Sequence, residues 1–103
     1  MSDKPGQNSL GSDMWPGLSK LAEEAGEVLQ VIGKIMGAHG RQTYYDGSNL
    51  RERLLEEGAD LMAALVFVIE RNTSGEDSQE FLTFEERVEM KLKKFILWAE
   101  QGQ

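Results

Sequence analysis

The chain has 103 residues, 40% of them hydrophobic and 28% charged, with a net charge of -7 at neutral pH and no cysteine. That length holds a single domain with one modest core, and the acidic balance leaves no basic stripe to displace counterions from phosphates, so no nucleic-acid polymer is expected as a partner. Without cysteine there is neither a disulfide framework nor a thiolate metal site, which points to a reducing, cytoplasmic setting.

No membrane association is expected either. The longest apolar run, residues 61–69, is far short of the roughly 20 residues that span a bilayer, and the first residues lack the apolar core of a signal peptide. A nucleotide is still compatible with the acidity, because a divalent cation held by carboxylates reverses the local sign of the field.

Residues 1–14, MSDKPGQNSLGSDM, carry no periodicity and are rich in Ser, Gly, Asp and Asn, so they are expected to form a flexible leader ahead of one domain over residues 15–103. Trp15 and Pro16 close that leader, and proline is well tolerated at a first helical position. From there Leu18, Leu21, Ala22, Ala25, Val28, Leu29, Ile32, Ile35 and Met36 recur at helical spacing. The pattern predicts a first helix over residues 16–37 with its apolar stripe centred near Ile32. Glu23, Glu27, Gln30 and Lys34 fall on the opposite face, and Glu24 at the boundary beside Val31 and Ile35.

Residues 37–48 are turn formers that also hold both tyrosines, Arg41 and the only histidine, His39, which is expected to serve as a turn or C-terminal cap residue. Asn49, with Glu52 three residues on, predicts the start of a second helix running to about residue 72. Its stretch 54–70, LLEEGADLMAALVFVIE, organises the chain. Beyond Gly58 it is apolar around nearly its whole circumference, which belongs in the middle of a bundle or against another subunit. A polar acidic loop follows over residues 72–80. Thr83 with Glu86 then predicts a third helix to about residue 100, whose apolar face is Phe84, Val88, Leu92, Phe95 and Ala99 with Lys91 and Trp98 at its edge. The expected fold is all-α, an antiparallel helical bundle of three main helices completed by oligomerisation as a homodimer or homotetramer, with Leu61, Leu65, Phe67 or Val68 in the interface.

The residues that carry chemistry are acids. Asp60 is the one polar residue in the most apolar part of the second helix and sits one turn after Glu57. A buried carboxylate without a partner costs several kcal/mol, so a basic side chain or a metal ion has to compensate it. The first helix offers Glu23-Glu24 and Glu27. Two such helices side by side bring Glu24, Glu27, Glu57 and Asp60 around one point, where four negative charges repel unless a cation sits among them. An all-oxygen donor set without His or Cys suits a hard ion, Mg2+ first and Mn2+ next. Read more plainly, Glu23-Glu24-x-x-Glu27 is a solvated face and Glu56 and Glu57 pair with Arg53.

Glu23-Glu24-Ala25-Gly26-Glu27 followed on the next helix by Glu57-Gly58-Ala59-Asp60, with Lys20-Leu21-Ala22 before and Val28-Leu29-Gln30 after the first motif, resembles the MazG-like proteins of the all-α nucleoside triphosphate pyrophosphohydrolase superfamily. The resemblance covers about residues 18–98. It implies hydrolysis of a nucleoside triphosphate between the α and β phosphates, giving a monophosphate and pyrophosphate, with Mg2+ held by acids that match Glu24, Glu27, Glu57 and Asp60. It also implies a water-activating role for Glu23. Gly58 departs from the pattern, because a bulkier apolar residue is usual between the second pair of acids. Leftover phosphate charge calls for cations, for which Lys34, Lys91 and Lys94 are the candidates. Two other readings stand beside this one: a non-catalytic acidic helical interaction module, and the same fold acting on phosphoribosyl-ATP.

Overall fold

The structure is a computed structural model that describes residues 14–102. Apart from Met14, the leader expected over residues 1–14 lies outside the described residues. The described chain forms three α-helices, α1 (Leu18–Gly37), α2 (Leu50–Arg71) and α3 (Gln79–Glu100). The backbone resolves into two compact units, the first ending at Val68 and the second beginning at Ile69, so the boundary falls inside α2.

In the first unit α1 and α2 pack antiparallel. A Cβ placed on Gly17 would stand 2.7 Å from a ring carbon of Phe67 and 3.1 Å from Val68. Two turns further along α1, Glu24 meets Glu57 and Asp60. The buried residues of α1 are Glu24 and Val31, with Ala38 just beyond its end, and those of α2 are Leu50, Glu57 and Val68. Positions seven apart lie on one side of a helix, so each helix turns a single stripe inward and each stripe has a glutamate in it. Ile32, expected at the centre of the apolar stripe, keeps 39% of its surface exposed. The helix is rotated so that Val31 leads its buried side together with Glu24. Val68, expected in a subunit interface, is buried inside the unit instead.

The helix boundaries follow local chemistry. α1 starts two residues later than the proline suggested. Gly17 precedes it in the left-handed region at φ 87, which places the chain close against Phe67. Ala38 caps its end, and His39 at φ 51 and Gly40 at φ 88 turn the chain away, the cap role expected for the histidine. The connection to α2 folds into a tight hairpin. The Tyr44 amide donates to the Ser48 carbonyl, the Gly47 amide to Tyr44, and the Leu50 amide to Gln42 at 2.8 Å. The amide of Glu52 donates to the side-chain oxygen of Asn49 at 3.1 Å, the expected cap.

In the second unit α3 begins at Gln79, four residues ahead of the expected Thr83. The Ser78 hydroxyl accepts from the Phe81 amide at 3.1 Å and caps it, and Phe81 is buried one turn in. Thr83 lies within the helix, where its hydroxyl accepts from the Gln79 side chain at 3.4 Å. An open trough of about 650 Å³ runs along the face that carries Phe84, Val88, Leu92 and Phe95.

Two glycines make opposite predictions. Gly17→Ala adds a Cβ in a backbone region that costs an L residue about 1–2 kcal/mol and drives it into Phe67, so it should lower the urea midpoint markedly. Gly58→Ala meets nothing within 4 Å and should raise stability by up to about 1 kcal/mol in the same titration, through helix propensity alone.

Candidate functional site

Three carboxylates from two helices converge in the first unit: ligand-type oxygens of Glu24, Glu57 and Asp60 all lie within 4.8 Å of one another. Glu57 keeps 2% of its surface and Glu24 5%, while Asp60 is half-buried. The sequence singled out Asp60 as the acid forced into apolar surroundings. The structure places Glu57 deepest, because Glu57 lies seven residues after Leu50 and so shares its buried face.

The polar satisfaction of this cluster is incomplete. Oε2 of Glu24 and Oε2 of Glu57 are both buried with no hydrogen-bond partner. Arg53 Nη2 stands 3.7 Å from Oε1 of Glu57, beyond hydrogen-bonding distance. It lowers the net charge of the cluster without satisfying the remaining oxygen. Lys20 is the other cation nearby; its ammonium bonds Glu23 Oε1 at 3.1 Å. Burial first, then the charge of Asp60, hold the Glu24 carboxyl above its ordinary value of 4.5; Lys20 opposes this, and Glu23 and Glu27 add to it. Lys20 and Arg53 sit one turn before Glu24 and Glu57 respectively, so their spacing was visible in the sequence, but their closeness to buried acids was not.

The remaining candidates fall in several places. Glu27 is half-buried on α1 and does not join the three carboxylates that close to within 4.8 Å. It lies three residues after Glu24 on the same helix, where its charge bears on Glu24. Lys34 lies 3.9 Å from Asp46 Oδ2 and 5.7 Å from the centre of the Tyr44 ring, which ties the end of α1 to the hairpin that follows. The hydroxyl and amide of Ser48 hold the Asp46 carboxyl below the usual carboxylate value. In the second unit, Lys91 stands 5.8 Å over the rings of both Phe95 and Trp98. Cation–π contact therefore accounts for its place beside an apolar face. Lys94 is exposed on the same helix.

As a donor set, three converging carboxylates with two unsatisfied buried oxygens fit a hard divalent cation held by oxygen alone. No described helix is long and apolar enough to cross a membrane. The chain matches no protein-family model, no curated protein and no solved structure.

The raised Glu24 value fixes the sign of a pH effect. Below about 4.5 the group is protonated whether folded or unfolded, and its burial carries no ionic penalty. As the pH rises through the higher folded value, the folded chain gives up a proton it held more tightly than the unfolded chain did, and stability falls. With chelator present, Glu24→Gln should therefore gain on the native chain progressively from mildly acidic to neutral pH in urea denaturation. A difference independent of pH would contradict the assignment.

Proposed function

We propose that the protein is a Mg2+-dependent nucleoside triphosphate pyrophosphohydrolase of the MazG-like kind, cleaving between the α and β phosphates to leave a monophosphate and pyrophosphate. The observation that supports this most strongly is the pair of buried glutamates, Glu24 and Glu57, each with an oxygen that no protein group satisfies, facing each other with Asp60 across two helices. Buried carboxylates in that state are costly unless a cation joins them. Glu24, Glu57 and Asp60 would hold the ion, with Glu27 one turn along α1 as the fourth acid, and Mn2+ would serve in place of Mg2+. When bound, the cation supplies positive charge to phosphate oxygens during in-line displacement.

The chain's own groups take the other parts. Glu23 orients and deprotonates the attacking water, and Lys20, bonded to it at 3.1 Å, fixes the direction of its carboxylate. Lys34, on the same helix as Glu24 and Glu27, is a cation of the first unit available for the remaining phosphate charge. The domain works as a homodimer or homotetramer in the cytoplasm.

A second reading has its own observation. Arg53 at 3.7 Å from Glu57 is the partner a purely structural acid would have, and on that basis the chain is a non-catalytic acidic interaction module. Millimolar Mg2+ or Mn2+ separates the two. A four-acid site relieved of repulsion gains about 2.7 kcal/mol at a hundred times its dissociation constant, several degrees in melting temperature for a chain of this size. An unchanged melting temperature favours the module.

For activity, a panel of nucleoside triphosphates and phosphoribosyl-ATP with Mg2+ should release pyrophosphate. Glu23→Gln should abolish that release while keeping the Mg2+-dependent rise in melting temperature. Orthophosphate as the sole product, or wild-type turnover by the Gln variant, would refute the corresponding step.

A further inference from the structure

Glu57, the deepest acid of the cluster, shares α2 with Arg53 one turn earlier, and the two partners are unequal. The side chain of Glu57 keeps 2% of its surface and that of Arg53 34%, so the carboxylate is enclosed while the guanidinium lies at the rim. Their approach, Nη2 to Oε1, is 3.7 Å, outside hydrogen-bonding distance. A guanidinium carries five donors in a planar fork that suits two parallel bonds to one carboxylate. Arg53 makes neither of those bonds, and Oε2 of Glu57 has no partner. Lys20 shows the other behaviour open to a cation on these helices, because it bonds Glu23 at 3.1 Å.

A charge at that distance acts without a bond. Oxygens of Glu24, Glu57 and Asp60 lie within 4.8 Å of one another and repel. Arg53 offsets part of that repulsion through space, with no hydrogen bond to be broken before the offset is withdrawn. The same positive charge opposes any cation that the carboxylates would hold, and because arginine stays protonated it does so at every working pH. Arg53 therefore acts in opposite directions on two equilibria. It favours the folded chain whose acids lack a cation, and it disfavours the binding of a cation to those acids.

We propose that Arg53 is a counter-ion built into the acid cluster, one that competes with the divalent cation for Glu57 and so limits how tightly the protein alone holds it. The inference rests on the cation reading of the cluster and adds a regulation to it. With Glu57 shared in this way, the acids by themselves bind Mg2+ loosely, and phosphate oxygens arriving with the ion supply the ligands that retain it.

Arg53→Gln removes the charge and keeps helix propensity and a polar tip at the rim, so helical circular dichroism should be unchanged. In the full-length chain with chelator present, it should lower the urea midpoint. Titration calorimetry with Mg2+ alone should show the same variant binding about tenfold more tightly than the native chain, the size expected of a partly exposed charge pair. Arg53→Lys, which keeps the charge, should return both quantities toward native values. A merely structural partner of Glu57 would behave differently, since its loss would lower stability and affinity together. In a Glu57→Gln background, Arg53→Gln should leave the midpoint with chelator unmoved; a shift that persists there would overturn the proposal. Mg2+ binding by the native chain with equal or weaker binding by Arg53→Gln would also overturn it, and would leave the cation site standing. Binding by Arg53→Gln alone would support it, whereas no binding by either chain would overturn the cation site and the proposal together.

Discussion

Two glutamates are buried where α1 meets α2, and everything else in the first unit is arranged around that fact. An aliphatic residue at either position would carry no charge-desolvation cost. Instead the scarce interior of the first unit, whose buried apolar residues among those described are Val31, Ala38, Leu50 and Val68, is shared with Glu24 and Glu57. The desolvation of two carboxylates is offset only in part by Arg53 and Lys20. The buried carboxylate oxygens left without a hydrogen-bond partner are the observation on which the proposed cation site rests.

Much of the architecture was legible from periodicity. Three helices, a connection of turn formers between the first two and the Asn49 cap all follow from patterns within a few residues of each other, where local chemistry decides. What the sequence misplaced depended on tertiary packing. Ser78 and Thr83 are both competent caps, and the burial of Phe81 one turn after Ser78 decides between them. The apolar stripe of α1 is broad enough that its centre could not reveal which edge would face α2, so Ile32 was favoured over Val31. Likewise Glu57, flanked by Glu56 and within reach of Arg53, reads as a surface acid until its place below Leu50 is known. The acids themselves were legible as a set because two helices each present a pair, but their ranking by depth was not.

The uneven exposure of α1 adds a second constraint. One side of the helix meets α2 through Glu24 and Val31; another carries apolar side chains such as Leu29 and Met36 that are largely exposed. On the same helix Lys20, Glu27 and Lys34 are occupied by charge relations to neighbouring groups. Such crowding of duties onto one element is expected in a short chain, where no separate element can be spared for each.

The hairpin between the helices has a consequence for how the chain tolerates length changes. Its ladder ends with the Leu50 amide fixed to the Gln42 carbonyl, so the angular phase with which α2 leaves the turn is set before its first residue. Each residue of helix advances that phase by about 100°. An insertion at the exposed tip near Tyr45 and Asp46 is absorbed outside the ladder. One placed between Leu50 and Glu57 swings both acids of α2 away from Glu24. Within this connection length variation is therefore confined to the tip of the turn, and the spacing from Leu50 to Asp60 is as much a part of the acid cluster as the carboxylates themselves.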